Sequence, residues 1–221
     1  LLLFILFFVT TQLPAQVWDF GDVPIDQLSM SIYEKDSTAK AVVIFDTGES
    51  ELTYKNDDFQ MLLRRHVRVK ILTDEGLGLG DISIAFRTED PKQKISKIKA
   101  QSYNLMPDGS VQKKSIGRRD RHTEKRDDRW SEIKFNISDL KAGSVFEFSY
   151  ELNSNHPLDL QDWFFQREIP VIWSEYQLRI PEWFNYVTVT GGYHPYKVNS
   201  QDFYFGEVEF GAGSWTSSLN Y

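Results

Sequence analysis

Four histidines and two pairs of adjacent aspartates are the side chains with which this chain could bind a metal or transfer protons. The histidines are His66, His122, His156 and His194. No two of them stand at a spacing such as H-x-x-x-H, which would bring two imidazoles to one zinc ion, so we predict no zinc site. The pairs Asp57-Asp58 and Asp127-Asp128 lack the D-x-D-x-D-G pattern of a calcium loop. We expect both pairs in solvated turns, and His66 as an ordinary strand residue.

The chain also lacks the usual nucleophile and phosphate-binding motifs. It has no cysteine, which excludes a thiolate nucleophile, a disulfide and a lipid-anchoring cysteine within these residues. Ser214 lies in GAGSW and not in G-x-S-x-G. The glycine-rich run at residues 76–80 has neither G-x-G-x-x-G order nor a following helix, which predicts a flexible connection between strands. We therefore predict no catalytic, cofactor-binding or metal-binding residue and no enzymatic activity for this chain; a hydrolase using acidic residues has no supporting spacing.

Aromatic residues are concentrated in residues 163–186. Flat exposed rings on a β-sandwich stack on sugars, and aromatic side chains are favoured anchors of protein interfaces. The candidates for an interaction surface are Trp163, Trp173, Trp183 and Tyr186. Core packing is the alternative for each of them, because large rings are what a sandwich core buries. The sequence leaves both interpretations open.

Strands must position these side chains, because apolar and polar residues alternate along most of the chain. The pattern is clearest where Phe146, Phe148 and Tyr150 alternate with polar residues. It recurs at residues 67–71, 82–86, 133–137, 176–180 and 203–205. This period of two is typical of half-buried strands. We predict an all-β fold: an antiparallel β-sandwich over residues 41–155, followed by a second β segment from Trp163 onward, with a sub-boundary near residues 155–162. The sequence leaves open whether that segment packs into the first sandwich or forms a second, smaller β-sandwich.

Turn signals separate the predicted strands. They are Asp46-Thr47-Gly48, Asp74-Glu75-Gly76, Pro107-Asp108-Gly109-Ser110 and Lys141-Ala142-Gly143. Glycine supplies the positive φ of a tight turn, and aspartate or proline starts the bend. The most polar stretch, RRDRHTEKRDDR at residues 118–129, mixes both charge signs and predicts a solvated loop.

The first forty residues predict a secretion signal and a short lead-in. Residues 1–9 are an unbroken apolar run, too short for a transmembrane helix but typical of a signal peptide that ends near residue 16. Residues 17–40 then form a lead-in, in which Ile25, Leu28 and Ile32 have helical spacing and predict a helix over residues 25–33. The β-sandwich accessory domain would cover residues 41–221, and we expect no transmembrane span in the mature chain. Export without disulfides suits the periplasm or outer surface of a Gram-negative bacterium.

Charge excludes one class of partner. The formal net charge is -7 and the isoelectric point is near 5.2. Affinity for a phosphate backbone comes from lysine and arginine, so we do not expect nucleic-acid binding.

Two parts of the sequence carry a resemblance to a known family. RRHVRVKILTDEGL (residues 64–77) and YNLMPDGSV (residues 103–111) form the first part; LKAGSVFEFSYEL (residues 140–152) and DWFFQREIPVIWSEYQLRIPEWFNY (residues 162–186) form the second. This chain resembles the domain of unknown function 3857 family, which lies ahead of transglutaminase-like domains in secreted bacterial proteins. The resemblance implies a fragment: a β-rich N-terminal domain whose intact protein continues beyond Tyr221 into a papain-like transglutaminase fold with a Cys-His-Asp triad.

Two functional hypotheses follow. In the first, this chain is a non-catalytic accessory domain that contacts the downstream transglutaminase-like domain of the same polypeptide, with an envelope protein or a glycan as a further partner. In the second, it is an independent β-sandwich that binds carbohydrate or peptidoglycan through exposed tryptophans. Neither hypothesis requires a cofactor.

Overall fold

A computed structural model describes residues 18–55, 58–181, 184, 187, 189, 191–192, 195–201, 205–209 and 216–220. The helix α1 spans Ile25–Ser29, and short 3-10 helices span Asp74–Gly80 and Arg118–Asp120. The strands are β1 (Ala41–Lys55), β2 (Asp58–Ile71), β3 (Asp81–Arg87), β4 (Gln93–Leu105), β5 (Val111–Ser115), β6 (His122–Lys125), β7 (Trp130–Asn136), β8 (Val145–Ser154), β9 (Val171–Arg179), β10 (Phe205–Glu209) and β11 (Thr216–Asn220). The predicted all-β sandwich is confirmed.

A six-stranded sheet in the order β5-β4-β8-β2-β1-β9 forms the larger layer of the sandwich. A three-stranded sheet, β3-β7-β6, packs on one side of it, which we call the back face. Apolar residues of β2 such as Val67 and Val69 meet Ile84 and Phe135 of the smaller sheet in this core. The opposite side, the front face, carries the alternate residues of β2, among them His66 and Arg68. A separate hairpin pairs β10 with β11.

One strand pairing differs from the expected antiparallel arrangement. β9 lies beside β1 in parallel orientation, from Val43 opposite Val171 to Glu51 opposite Arg179. Parallel neighbours require a crossover connection instead of a tight turn. Residues 155–170, the crossover segment, make that connection by passing from β8 across the back face to the sheet edge. The region after Trp163 therefore contributes an edge strand to the first sheet before the β10–β11 hairpin.

The N-terminal segment, residues 18–28, covers part of the front face. Its apolar side chains Trp18, Val23 and Leu28 pack with Phe45 and Tyr103 in a second, smaller core. The helix begins at Ile25 as predicted but ends at Ser29, four residues earlier than expected. Leu28 is its buried side chain, whereas Ile32 is 51% exposed, so the apolar stripe that suggested a longer helix has no core to face beyond this turn.

Three of the predicted turns and the predicted polar loop can be compared with the structure. Gly109 and Gly143 have positive φ values of 82° and 92°, so these turns are confirmed. The turn predicted at Asp46-Thr47-Gly48 is wrong, because β1 runs through it without a break. The polar stretch at residues 118–129 is exposed as expected, but it contains the edge strand β6 and is not a loop throughout.

Candidate functional site

The register of the six-stranded sheet arranges the front-face side chains in rows that cross the strands. One row holds Trp173, Phe45, Arg68, Glu147 and Gln101, in strand order from β9 to β4. The next row holds Glu175, Thr47, His66, Ser149 and Lys99. A third row holds Gln177, Glu49, Arg64, Glu151 and Ser96. The N-terminal segment covers the first row and leaves the second and third largely open.

A buried ionic cluster lies in the covered part of the front face. Arg68 and Glu147 are 1% and 0% exposed and form a salt bridge of 2.8 Å between Nη2 and Oε2. The same Oε2 atom lies 2.9 Å from Nε2 of His66, and the hydroxyl of Tyr103 donates a hydrogen bond to Oε1. Burying a charge costs several kcal/mol per ion, and hydrogen bonds to the charged group offset this cost. Both carboxylate oxygens of Glu147 have such hydrogen-bond partners.

The same contacts set the protonation state of the cluster. Burial would raise the pKa of Glu147, but hydrogen bonds from His66 and Tyr103 and the charge of Arg68 outweigh it, so the pKa lies below its ordinary value. Burial and the hydrogen bond to Glu147 raise the pKa of Tyr103. Glu147 is therefore an anion at neutral pH, and Tyr103 is a neutral hydrogen-bond donor to it.

Charged side chains of the sheet bind the N-terminal segment through its main chain. Glu147 Oε1 accepts a hydrogen bond of 2.6 Å from the backbone nitrogen of Gly21, and Arg68 donates to the carbonyl oxygen of Asp19 over 3.1 Å. Lys70 donates to the carbonyl oxygens of Leu28 and Gly143, at 2.6 Å in each case. The ionic cluster thus explains why a segment with one short helix is held in place.

Lys70 is fully buried, and within the described part of the chain it forms no salt bridge with a carboxylate. Burial lowers the pKa of its ammonium group to about 8. The two carbonyl oxygens accept hydrogen bonds from it and leave it as a structural cation between helix α1 and the loop before β8.

The uncovered rows of the front face form a groove of about 380 Å³, which we call the open groove. Trp18 lies at its border with the N-terminal segment, and its lining includes Thr47, His66, Ser149 and Glu175. Arg64 lies in the third row and pairs with carboxylates on both sides: Glu49 at 3.2 Å, Glu51 at 2.7 Å and Glu151 at 3.7 Å. The open groove is therefore polar, with its central arginine already neutralised.

On the back face, Trp163 of the crossover segment fills a slot over Gly48. Its ring stacks on Tyr176 of β9 at 5.2 Å, and the guanidinium of Arg65 lies 4.8 Å from the ring centre. Tyr176, Gly48 and Arg65 are in register on three neighbouring strands. Tyr176 and Arg65 are two strand spacings apart, and each spacing is ~4.8 Å. The distances from the indole to Tyr176 and to Arg65 add up to about this span, so the indole stands between the two side chains with both ring faces covered.

A second contact anchors the crossover segment beside this slot. Asp46, fully buried, accepts a bidentate pair of hydrogen bonds from Arg65 at 2.9 and 2.7 Å. Arg167 of the crossover segment pairs with the same carboxylate. Desolvation opposes the charge on Arg65, but hydrogen bonding with Asp46 raises its pKa above the ordinary value, so the pair stays ionised.

The sequence matches the model of a known family. The family model described as a domain of unknown function with a solved structure, DUF3857, covers residues 57–204. The chain belongs to the DUF3857 family. The matched span leaves out the N-terminal segment and β1, although β1 is the strand that joins β9 to the sheet.

Several solved structures resemble this DUF3857 domain. One of them is the crystal structure of a candidate protease from Parabacteroides distasonis, with a TM-score of 0.49 and 14% sequence identity. The alignment covers 82% of this chain and 34% of that protein, so this chain spans about a third of its length. No curated protein matches the sequence significantly.

The structure separates the predicted interaction residues of this DUF3857 domain. Trp163 lies on the back face, and Trp173 lies on the front face, where it packs beside Phe45 and its Nε1 donates to Glu175 over 2.8 Å. Both are partly buried. Trp183 and Tyr186 lie outside the described residues. Trp163 and Trp173 therefore do not form one continuous aromatic surface.

Apart from His66, the histidines and paired aspartates that the structure describes are exposed. His122 and His156 are exposed, and His194 lies outside the described residues. Asp127 accepts hydrogen bonds from the backbone nitrogens of Arg129 and Trp130, as expected for a solvated turn. Among the described residues, no group of three or more His, Asp or Glu side chains is arranged to hold a metal ion. In the same part of the chain, no helix has the length and apolar character needed to cross a bilayer.

Proposed function

We propose that this DUF3857 domain is a non-catalytic accessory domain of an exported protein, and that it contacts a transglutaminase-like domain of the same polypeptide. The observation that carries the proposal is the distribution of exposed apolar side chains. Seven of the nine large hydrophobic side chains exposed in the described part of the chain come after residue 157. Monomeric domains expose few contiguous apolar patches, and such a patch is typical of a surface that meets a partner.

Three of these side chains lie at or near β9, the edge strand of the six-stranded sheet. Phe164, next to the Trp163 slot, is 71% exposed, and Ile172 on β9 is 46% exposed. Tyr196 packs edge-on against Phe165 at 5.2 Å, whereas its neighbour Lys197 lies 5.4 Å from the ring centre of Trp173. Since Phe165 belongs to the back side and Trp173 to the front, residues 196–197 run along this edge. We call Phe164, Ile172 and Tyr196 the edge patch.

The contacts of His66 in the buried ionic cluster support the non-catalytic part of the proposal. His66 is held by Glu147 through Nε2 and lies between the rings of Phe20 at 5.5 Å and Phe45 at 4.7 Å. The nearby hydroxyl of Thr47 donates to the main-chain oxygen of His66 and not to its ring. A catalytic base needs a hydrogen bond to a nucleophile, whereas the ring of His66 is hydrogen-bonded to Glu147 and packs against Phe20 and Phe45.

The catalytic claim is tested with the purified chain without its proposed signal, residues 17–221. We expect no hydrolysis of peptide substrates and no transfer of a glutamine acyl group to an amine. Activity that disappears in His66→Gln would contradict the proposal, because the assigned role of that histidine is structural.

The docking claim is tested by reading the gene beyond the codon for Tyr221 and titrating this chain with the transglutaminase-like domain that we propose follows. Replacing both Phe164 and Ile172 with serine should weaken binding at least about tenfold, as expected for apolar anchors of an interface. Ile32→Ser is the control, since Ile32 is 51% exposed, close to the 46% of Ile172, but lies outside the edge patch. Equal losses in the two variants would refute the assignment of the edge patch.

Export is proposed from the apolar run at residues 1–9. Expression of the full gene in its natural host, followed by fractionation and N-terminal sequencing, should place the protein outside the cytoplasm with a new N-terminus near residue 16. Recovery in the cytoplasm with residues 1–9 still attached would overturn this part.

A further inference from the structure

One row of the open groove ends in two opposite charges that form no salt bridge with any residue the structure describes. The row crosses five strands and consists of Glu175, Thr47, His66, Ser149 and Lys99. Its anionic end is on β9 and its cationic end is on β4. Hydroxyl groups and an imidazole lie between them.

The carboxylate of Glu175 is oriented by neutral hydrogen-bond donors and keeps its negative charge uncompensated by a salt bridge within the described residues. Its oxygens accept hydrogen bonds from Nε1 of Trp173 at 2.8 Å and from Nε2 of Gln177 at 2.6 Å. Both donors are neutral, and within the described residues no lysine or arginine forms a salt bridge with Glu175. An ionised carboxylate has about four lone-pair positions, so this one can accept further hydrogen bonds from a cation.

Lys99 supplies the positive charge at the other end of the row. Its ammonium group faces the ring of Phe20, 5.6 Å from the centre, and in the described part of the chain it makes no salt bridge. Its neighbour Lys97, by contrast, pairs with Glu151 at 3.0 Å. Lys99 is exposed, and a lysine ammonium carries three donors, so it is free to bind an anion.

The remaining strong charges of the groove do not compete for a ligand. Arg64 is neutralised by three carboxylates, among them Glu49, which also pairs with Arg179 at 3.1 Å. A ligand that enters the groove therefore meets one uncompensated anion and one uncompensated cation. Complementary charges at its two ends would fix its orientation.

The spacing of these two groups sets the length of the ligand. Four strand intervals of ~4.8 Å separate the backbones of Glu175 and Lys99 by roughly 19 Å, and the two side chains with their hydrogen bonds take up several ångströms of that span. An extended peptide rises ~3.4 Å per residue, so about four residues bridge the rest. The groove volume of about 380 Å³ lies within the range of small-ligand sites.

We propose that the open groove binds a short extended peptide with free termini, its ammonium end at Glu175 and its carboxylate end at Lys99. The hydroxyls of Thr47 and Ser149, on the floor of the groove, would meet its main chain. This assignment is independent of the edge patch, which lies at the outer edge of β9, so loss of docking there leaves it untouched.

The first experiment varies the peptide. Tetraalanine, its N-acetylated form and its C-terminal amide are titrated into the full chain up to about 10 mM, and the backbone amide resonances of Thr47, His66 and Ser149 are followed by NMR. We expect tetraalanine to bind, and each blocked end to weaken binding about three- to fivefold, as for one partly exposed ion pair. Dialanine, which is too short to reach both ends, should lose a similar factor.

The second experiment varies the protein. In Lys99→Gln, amidation of the peptide should no longer weaken binding, whereas acetylation should still do so; Glu175→Gln should show the reverse. Lys114→Gln is the matched control, because Lys114 is an exposed lysine on the edge strand β5 and outside the groove. It should behave as the unmodified chain.

Three results would overturn the proposal. They are no shift of the groove resonances by tetraalanine, equal binding of free and blocked peptides, and an effect of Lys99→Gln on both ends alike. The comparison of blocked peptides needs no variant, so a variant that failed to fold would not remove the test.

Discussion

Replacing Gly48 with alanine tests the account of the Trp163 slot most directly. A Cβ atom at this position would lie 2.4 Å from Cζ3 and 2.7 Å from Cη2 of the Trp163 ring. Contacts below 3.0 Å require one of the groups to move. The ring cannot slide sideways, since Tyr176 and Arg65 cover its two faces. We therefore expect the indole to be pushed out of the slot.

The size of the effect follows from what the slot contributes. Overpacking a well-fitted site costs typically ~1–3 kcal/mol. Expulsion of the ring loses an aromatic pair with Tyr176, ~0.5–1.5 kcal/mol, and a cation–π contact with Arg65 of similar size. Either route predicts that Gly48→Ala lowers the free energy of unfolding by about 1–3 kcal/mol.

Urea unfolding followed by far-UV circular dichroism measures this loss, and a double-mutant cycle isolates its cause. In a Trp163→Ala background the ring is absent, so Gly48→Ala should cost nothing and should stabilise by about 0.5 kcal/mol, because alanine is better than glycine inside a strand. Gly78→Ala is the control: no atom lies within 4 Å of its Cβ position, and we expect a change within about 0.5 kcal/mol.

The reasoning is refuted if Gly48→Ala costs as much in the Trp163→Ala background as in the natural chain. In that case the glycine would be required by the strand itself, and the covered state of the Trp163 ring would have no support from stability. It would also be refuted if the single variant were as stable as the natural chain.

Three further predictions concern the buried charges and one strained residue. Glu147→Gln leaves Arg68 without its buried anion and should lower the free energy of unfolding by about 3–5 kcal/mol. The pKa of Glu147 is depressed in the folded state, so the stability that its charge contributes is complete above the unfolded pKa of ~4.3. In acid unfolding experiments, this contribution should be lost as the pH falls through the folded pKa. The pKa of Lys70 is lowered to about 8, so between pH 8 and ~10.4 the unfolded state binds more protons than the folded state. Across this pH window, the free energy of unfolding of the natural chain should rise by up to about 3 kcal/mol relative to that of Lys70→Met. Urea titrations at stepped pH measure this difference, and a fall would contradict the assignment. Lys97 has a φ of 50°, and Lys97→Gly should relieve about 1 kcal/mol of backbone strain and so raise the midpoint of thermal unfolding. The variant also loses an exposed ion pair with Glu151, which contributes less. A lower midpoint would show that the ion pair outweighs the strain.

The sequence predicts the strands well because alternation is a local property. Residues 146–152 lie in β8 and residues 133–136 in β7, as their patterns indicate. The turn predicted at Gly48 fails for a reason that local sequence does not contain. Glycine stands there because the Trp163 ring, 115 positions further along the chain, occupies the space of a side chain. The parallel position of β9 depends on the same crossover and is equally non-local.

The buried charges of the front face were hidden by the same alternation that reveals the strands. Arg68, Lys70 and Glu147 occupy the polar positions of amphipathic strands, which ordinarily face water. One signal could have identified them: Trp18, Val23 and Leu28 form an apolar series before the first strand and need a surface to cover. The only uncovered surface of a two-layer sandwich is the outer face of a sheet.

Two β-bulges decide which side chains reach the open groove. Between Val43 and Phe45, β1 advances two residues while β2 advances one, and between Ser96 and Lys99, β4 advances three residues while β8 advances two. An extra residue moves every later side chain of its strand to the opposite face. Without the second bulge, Lys99 would share the back face with Ile95 and lie against the core. The charged row of the open groove therefore depends on two local irregularities, and a strict alternation of the same residues would have buried its lysine.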